Sequence, residues 1–302
     1  MGLLYFLANC RNAVMDTLML LITRLGEETA FLVIAIILLW CVDKKRGYFV
    51  LFTGFIGILC NQTLKLLFRI PRPWVIDPGF HPVEGAKAAA TGYSFPSGHT
   101  QSAVGAFGAI AATEKRRWVR VTCIVLAVCV AFSRMYLGVH TPWDVLTSVG
   151  IAVVLIFTLR PLVMGDSKYA MPILLATVTL LSVGYLVFSQ LYLFPSDMDA
   201  EHLAHGRESA FTLLGCLLGF IVVYPIEKKW IQFPVEAVWW AQILKVLIGL
   251  LLILAVKAGL KMPLNLLLGE AAGRIVRYFL MVVAAGIGWP LTFRWFSTLG
   301  RK

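Results

Sequence analysis

Long apolar runs separated by short polar stretches organise this chain. Runs near 27–42, 48–64, 99–113, 118–133, 143–160, 171–193, 208–226, 238–258 and 275–293 each approach the ~20 residues that an α-helix needs to cross a bilayer. The pattern predicts an all-α fold, a polytopic transmembrane helical bundle of about nine spanning helices. The start is different. In NCRNAVMDTLMLLITRLGEE the apolar positions are interrupted by Arg11, Asn12, Asp16 and Arg24, which suits an N-terminal amphipathic helix lying in the membrane interface better than a spanning one, the alternative for this segment. It lacks a basic segment leading into a clean apolar core and a small-residue cleavage site, so a cleaved signal peptide is not expected.

Composition narrows the classes further. Of 302 residues, 59% are hydrophobic and only 14% charged, with a mean hydropathy of +0.82. Soluble domains carry roughly 25% charged residues, so this chain has too few polar side chains to coat a water-soluble globule. Disorder is excluded for the converse reason, since such apolar runs do not stay solvated. The net charge of +11 is not gathered into a basic tract interleaved with aromatics, so nucleic acid is not the expected partner. The partner is the lipid bilayer. Basic residues fall instead in alternate connections: Lys44, Lys45 and Arg46; Lys115, Arg116, Arg117 and Arg120; Arg160 and Lys168; Lys228 and Lys229; Arg294, Arg301 and Lys302. The positive-inside rule makes these the cytoplasmic side. Loops 65–98, 134–142, 194–207 and 259–274 then share the opposite face, yet they and their flanks still hold Lys65, Arg69, Arg72, Lys87, Arg134, Arg207, Lys257, Lys261, Arg274 and Arg277. The rule survives only if several of these cations have another reason to be there. The six cysteines include no CxxC pair and read as small buried hydrophobes, with no metal site expected.

Three clusters on that opposite face carry candidate chemistry. In KLLFRIPRP, Lys65 and Arg72 can converge on one anion where Pro71 and Pro73 turn the chain, although a basic interfacial anchor has the same composition. In FPSGHTQSA, Ser97 is an N-cap candidate, Gly98 permits close approach to the backbone, and His99 sits where free N–H groups and the helix dipole favour an anion. An ordinary capped helix start with an interfacial histidine reads the same way. In SRMYLGVHTPWDV, Asp144 lies four residues after His140, at a helix beginning signalled by Thr141 and Pro142. The carboxylate can there fix the imidazole tautomer, or simply complement the helix dipole. Arg134 offers a fork for phosphate oxygens.

Together the clusters resemble the type-2 phosphatidic acid phosphatase family, whose signature is KxxxxxxRP, PSGH and SRxxxxxHxxxD. Lys65, Arg72 and Pro73, then Pro96, Ser97, Gly98 and His99, then Ser133, Arg134, His140 and Asp144 meet every fixed position. The resemblance covers roughly residues 13–162. It implies hydrolysis of a phosphomonoester or diphosphate, without metal or other cofactor, through a phosphohistidine. Carried over by position, His140 is the nucleophile, Asp144 its orienting partner and His99 the acid for the leaving oxygen. Lys65, Arg72, Ser97, Gly98 and Arg134 hold the phosphoryl oxygens.

The resulting expectation is three regions: an N-terminal interfacial helix at 1–26, a catalytic transmembrane core at 27–162, and accessory C-terminal transmembrane helices at 163–302, serving as scaffold, homodimer interface or selectivity element. The expected substrate is a lipid phosphate or prenyl diphosphate: undecaprenyl diphosphate, phosphatidylglycerol phosphate, phosphatidic acid or a sphingoid phosphate. The expected site faces the extracytoplasmic side of a cell membrane. A sugar-phosphate phosphatase of the glucose-6-phosphatase type, or a lipid-phosphate transporter using the pocket for binding, are the alternatives. The 74–95 loop, with Trp74, Phe80, His81, Tyr93 and Phe95, is the candidate lid or acyl-chain entrance, or else an interfacial aromatic belt. The acidic loop with Asp197, Asp199, Glu201, His202 and His205 reads as solvated surface, and Lys245 as a cation snorkelling to the cytoplasmic interface.

Overall fold

The computed structural model describes residues 1–300 except Ala89 and Asp197. Asp197 of the acidic loop and the basic C-terminal Arg301 and Lys302 therefore lie outside the described residues. Among those described, every regular element is helical: α1 (Gly2–Asn9), α2 (Ala13–Thr23), α3 (Glu28–Ile37), α4 (Lys44–Phe68), α5 (Pro73–Ile76), α6 (Gly98–Thr113), α7 (Arg117–Tyr136), α8 (Pro142–Met164), α9 (Ala170–Leu191), α10 (Ala200–Ile226), α11 (Trp239–Gly259), α12 (Lys261–Val283) and α13 (Phe293–Thr298).

Among the described residues, seven helical stretches are long and apolar enough to cross a membrane: Lys44–Ile76, Arg117–Tyr136, Pro142–Met164, Ala170–Leu191, Ala200–Ile231, Trp239–Gly259 and Lys261–Thr298. An eighth arises if Ala13–Gly26 and Glu28–Val42, bent by 54° at their junction, count as one. Two expected spans account for the difference from nine. The 27–42 run continues the preceding helix after that bend. The 99–113 run is α6, whose 16 residues reach only about 24 Å at 1.5 Å per residue. Hydropathy reports neither bends nor burial inside a bundle.

Residues 1–35, 48–166 and 195–206 form one compact unit. Helix α6 lies at its centre, packed on α7 and α8, and Ala103, Ala106, Ala109 and Gly105 let the neighbours approach closely. In place of one N-terminal helix there are two, with Asn12 capping the second by accepting from the Met15 N–H at 3.0 Å. Three of the four polar residues that suggested an interfacial face, Arg11, Asn12 and Asp16, have intramolecular partners, while Arg24 is exposed. Arg11 donates to the carbonyls of Tyr136 and His81, and Asp16 accepts from the Tyr136 hydroxyl at 2.8 Å. The outward face of α2 is apolar, with Val14, Leu18 and Leu21 exposed.

Residues 36–47, 167–194 and 207–302 form the second unit. Gly215 and Gly219 on α10 face the Ile275 and Phe279 carbonyls of α12, in contacts that a Cβ at Gly215 would obstruct, the small-residue seam typical of helix pairs in membranes. Lys245 does not snorkel. Its side chain is fully buried, donating to the Trp40 and Val235 carbonyls at 2.8 and 3.2 Å with its ammonium 4.6 Å from the centre of the Phe293 ring. Two carbonyls and a ring face replace the water it would otherwise seek.

Candidate active site

Each of the three clusters is placed by a local rule before tertiary contacts unite them. Lys65 lies in the last turn of α4, and Arg72 is the residue before the Pro73 that starts α5. Ser97 caps α6, its hydroxyl accepting from the Thr100 N–H at 3.4 Å. Thr141 and Asp144 cap α8 reciprocally, with Pro142 in its first turn, a favourable helix start on both counts. The 138–141 turn between α7 and α8, with Gly138 at φ 76°, presents His140.

These elements close on a cavity of about 340 Å³ lined by Lys65, Arg72, Gly98, His99, Arg134 and His140, at the low end of the ~300–1,000 Å³ of small-molecule sites. The lining also includes Asn61, Gln101 and Ser102 from α4 and α6, and Gly26 to Thr29 at the bend after α2. Ser97 and Asp144 are not on its wall. They are buried behind it, the Ser97 N–H donating to the Asp144 carbonyl at 3.1 Å.

The three cations and the neutral His140 are buried. Lys65, Arg72, Arg134 and His140 are 8%, 5%, 1% and 2% exposed. Lys65 donates to the Tyr93 carbonyl. Arg72 donates to the carbonyls of Gly92, Val139 and Thr91 at 3.0, 3.0 and 2.7 Å, and its Nη1 lies 2.9 Å from His140 Nε2. Arg134 donates through Nη1 to the Thr23 hydroxyl at 2.5 Å, while its Nε and Nη2, like His99 Nε2, have no protein hydrogen-bond partner among the described residues. Buried donors of this kind are costly unless an acceptor arrives.

His140 is hydrogen-bonded at Nε2, and its Nδ1 faces Asp144 without a hydrogen bond. A guanidinium only donates, so Nε2 is the acceptor toward Arg72 and the proton is assigned to Nδ1, which faces Asp144 Oδ2 at 3.5 Å. That oxygen also accepts from the Ser94 hydroxyl and the Thr141 N–H, both at 2.7 Å. Burial first, then the charges of Arg72, Arg134 and Lys65, hold the His140 imidazole well below its ordinary value, leaving it neutral with its lone pair at Nε2.

Several partners had no sequence signal. Thr23 and Ser94 belong to no motif, and the carbonyls of Thr91, Gly92 and Tyr93 are chemically anonymous. The 74–95 loop thus contributes to the wall of the site, and its aromatics take packing roles: Phe80 is buried, Trp74 lies beside Arg72 and Lys87, and Phe95 packs on Phe68. The acidic loop is solvated at Asp199 and Glu201, which are exposed, while its histidines turn inward. Asp199 accepts from the N–H groups of Glu201 and His202, the His202 ring packs on Tyr93 with centroids 4.7 Å apart, and His205 lines the cavity. Among the described residues no group of three or more His, Cys, Asp or Glu side chains is placed to hold a metal ion.

Residues 46–167 match the PAP2 superfamily, and residues 211–301 match the PAP2 superfamily phosphatase, transmembrane extension. Undecaprenyl-diphosphatase BcrC of Bacillus subtilis is 32% identical over 152 residues, 48% of this chain and 74% of that protein. The undecaprenyl-diphosphatase of Sulfolobus acidocaldarius is 29% identical over 44% of this chain and 64% of its own length. Phosphatidylglycerophosphatase B of Bacillus subtilis is 30% identical over 35% of this chain and 56% of its own. No solved structure matches the chain significantly. The chain belongs to the PAP2 superfamily, as a multi-pass membrane phosphatase that carries the superfamily's transmembrane extension.

Proposed function

We propose that the protein hydrolyses a lipid phosphate or prenyl diphosphate through a phosphohistidine on His140. The observation that carries the reading is the convergence of Lys65, Arg72 and Arg134 with His99 and His140 on one cavity. Three cations around a neutral nucleophile are what phosphoryl transfer needs, since positioning and charge stabilisation supply nearly all of its catalysis. A phosphoryl oxygen that takes the Arg72 Nη1 donor releases the Nε2 lone pair and brings phosphorus in front of it. As the Nε2–P bond forms, the P–O bond to the leaving group breaks, its electron pair stays on that oxygen, and His99 supplies the proton. A water, deprotonated by the same His99, then displaces His140 and gives inorganic phosphate.

The relatives' names support a substrate whose chain stays in lipid, undecaprenyl diphosphate or phosphatidylglycerol phosphate among them. Burial of Lys65, Arg72 and Arg134 removes the strongest exceptions to the charge rule, because these cations serve a site. This supports a pocket on the extracytoplasmic face of the cell membrane.

The test is phosphate release by detergent-purified protein in EDTA from undecaprenyl diphosphate, phosphatidylglycerol phosphate, phosphatidic acid, a sphingoid phosphate and glucose 6-phosphate. Release from at least one lipid is expected. Release from glucose 6-phosphate alone overturns the lipid assignment, and none from the whole panel overturns catalysis in favour of binding or transport. The dependence of kcat on pH should be bell-shaped, because in the complex with substrate His140 must be neutral and His99 protonated; burial and the charges of Arg134, Arg72 and Lys65 push the His99 imidazole of the free enzyme down to about 3, and the negative phosphoryl group is what raises it on binding. The downward shift of His140 keeps the nucleophile neutral as pH falls, so the acid limb should lie below the ~6.5 of an ordinary histidine. A rate rising monotonically across both titrations counts against the scheme.

A further inference from the structure

We propose that Gln101 is a specificity residue that binds a free hydroxyl on the second carbon of the alcohol esterified to phosphate. The proposal rests on the phosphatase reading above and narrows it to monoesters of hydroxyl-bearing lipids, phosphatidylglycerol phosphate among the candidates. Gln101 follows PSGH by two residues and occupies no fixed position of the family signature.

Its placement follows from the packing of α4 on α6. The two helices run antiparallel in a register set by glycines: a Cβ on Gly98 would stand 3.7 Å from Asn61 Oδ1, and one on Gly105 would stand 3.7 Å from Thr53. Between these contacts Gln101 lies against Gly57, where a Cβ would come within 2.7 Å of its Nε2. The side chain is 2% exposed and lines the catalytic cavity, yet neither Nε2 nor Oε1 has a hydrogen-bond partner among the described residues. A buried amide open at both ends is costly unless a ligand or water meets it.

The character of this wall indicates the ligand. His99, the acid for the leaving oxygen, is in the first turn of α6, and Gln101 and Ser102 are the next cavity-lining residues along that helix. The alcohol beyond the breaking P–O bond therefore meets Gln101. From Gly98 to Gln101 the helix rises about 4.5 Å at 1.5 Å per residue, the reach from phosphorus to a hydroxyl two carbons into the alcohol. The lining residues around Gln101, namely Ile58, Asn61, Gln62 and Ser102, are uncharged, and the exposed rim carries Glu27. Nothing on this wall pairs the charge of a second phosphoryl group. A hydroxyl carries no charge to desolvate, and it can donate to Oε1 or accept from Nε2. A methylene in the same place leaves the amide open.

The test compares oleoyl lysophosphatidic acid with its analogue lacking only the hydroxyl on the second glycerol carbon. Phosphate release in detergent and EDTA gives kcat/KM for wild type, Gln101→Met and Gly57→Ala. Wild type should favour the hydroxyl substrate about tenfold, the scale of one hydrogen bond. Gln101→Met fills the space without a donor or acceptor, and the ratio should fall to near one. Gly57→Ala, whose Cβ displaces the amide, should lower the ratio too, which keeps the test decisive if Gln101→Met does not fold. A wild-type ratio near one, as when water alone satisfies the amide, overturns the assignment. So does a ratio that the variants leave unchanged by slowing both substrates alike. Release from the lipid panel above without this preference leaves the phosphatase reading intact, whereas release from neither the panel nor this pair overturns both.

Discussion

Replacing His140 with alanine should abolish phosphate release, lowering kcat by roughly four to six orders of magnitude, in EDTA as in its absence. The size follows from what the side chain does and from what the substitution leaves behind. Lys65, Arg72 and Arg134 are each anchored elsewhere, on Tyr93, on Thr91, Gly92 and Val139, and on Thr23. The cation site therefore survives the change, and substrate binding should weaken far less than turnover falls. A transport protein using the same pocket for binding would show the opposite pattern, with no turnover to lose. The check is steady-state phosphate release beside equilibrium binding of the same lipid, with thermal unfolding as the fold control. A variant that stays folded and retains more than about a hundredth of wild-type kcat would exclude His140 as nucleophile.

The contrast between legible and illegible features has a physical basis in sequence distance. Ser97 as the cap of α6, Pro142 in the first turn of α8, and Asp144 one turn from His140 follow from rules that operate within four residues, so the spacing of PSGH and HTPWD reveals them. Gathering Lys65, Arg72, Arg134, His99 and His140 around one cavity needs tertiary structure, and there the family resemblance supplied what periodicity does not. Beyond it the signal ends. Thr23 meets Arg134 across 111 residues, and an isolated threonine in an apolar helix carries no mark of that partner. Lys245 looked like a snorkelling cation because its acceptors are carbonyls, one of them 205 residues away, and a carbonyl has no residue identity. Bends mislead in the same way: the apolar run at 27–42 is as hydrophobic as a straight span, and hydropathy contains no term for the 54° turn at its start.

Asp144→Asn should lower kcat by about three orders of magnitude while leaving the fold and KM nearly unchanged. Oδ2 accepts from the Thr141 N–H and the Ser94 hydroxyl, and an amide nitrogen cannot accept. The asparagine oxygen must therefore take that position, where it still faces Nδ1 and preserves the tautomer. The cap of α8 is kept, and with it the ~1 kcal/mol that a capping side chain contributes. Only the charge is lost. That charge matters at the transition state, because attack through Nε2 turns a neutral ring into a cation inside a cavity that already holds three. At the 3.5 Å separation seen here, a unit charge is worth about 5 kcal/mol at an effective dielectric constant near 20, and a barrier higher by that much slows turnover about three to four orders of magnitude. Asp144→Ala should add a loss of stability from the missing cap, seen as a lower melting temperature, which Asp144→Asn should not share. If Asp144→Asn stays within tenfold of wild-type kcat, the carboxylate serves only to start α8, and stabilisation of the charged histidine must come from elsewhere in the site.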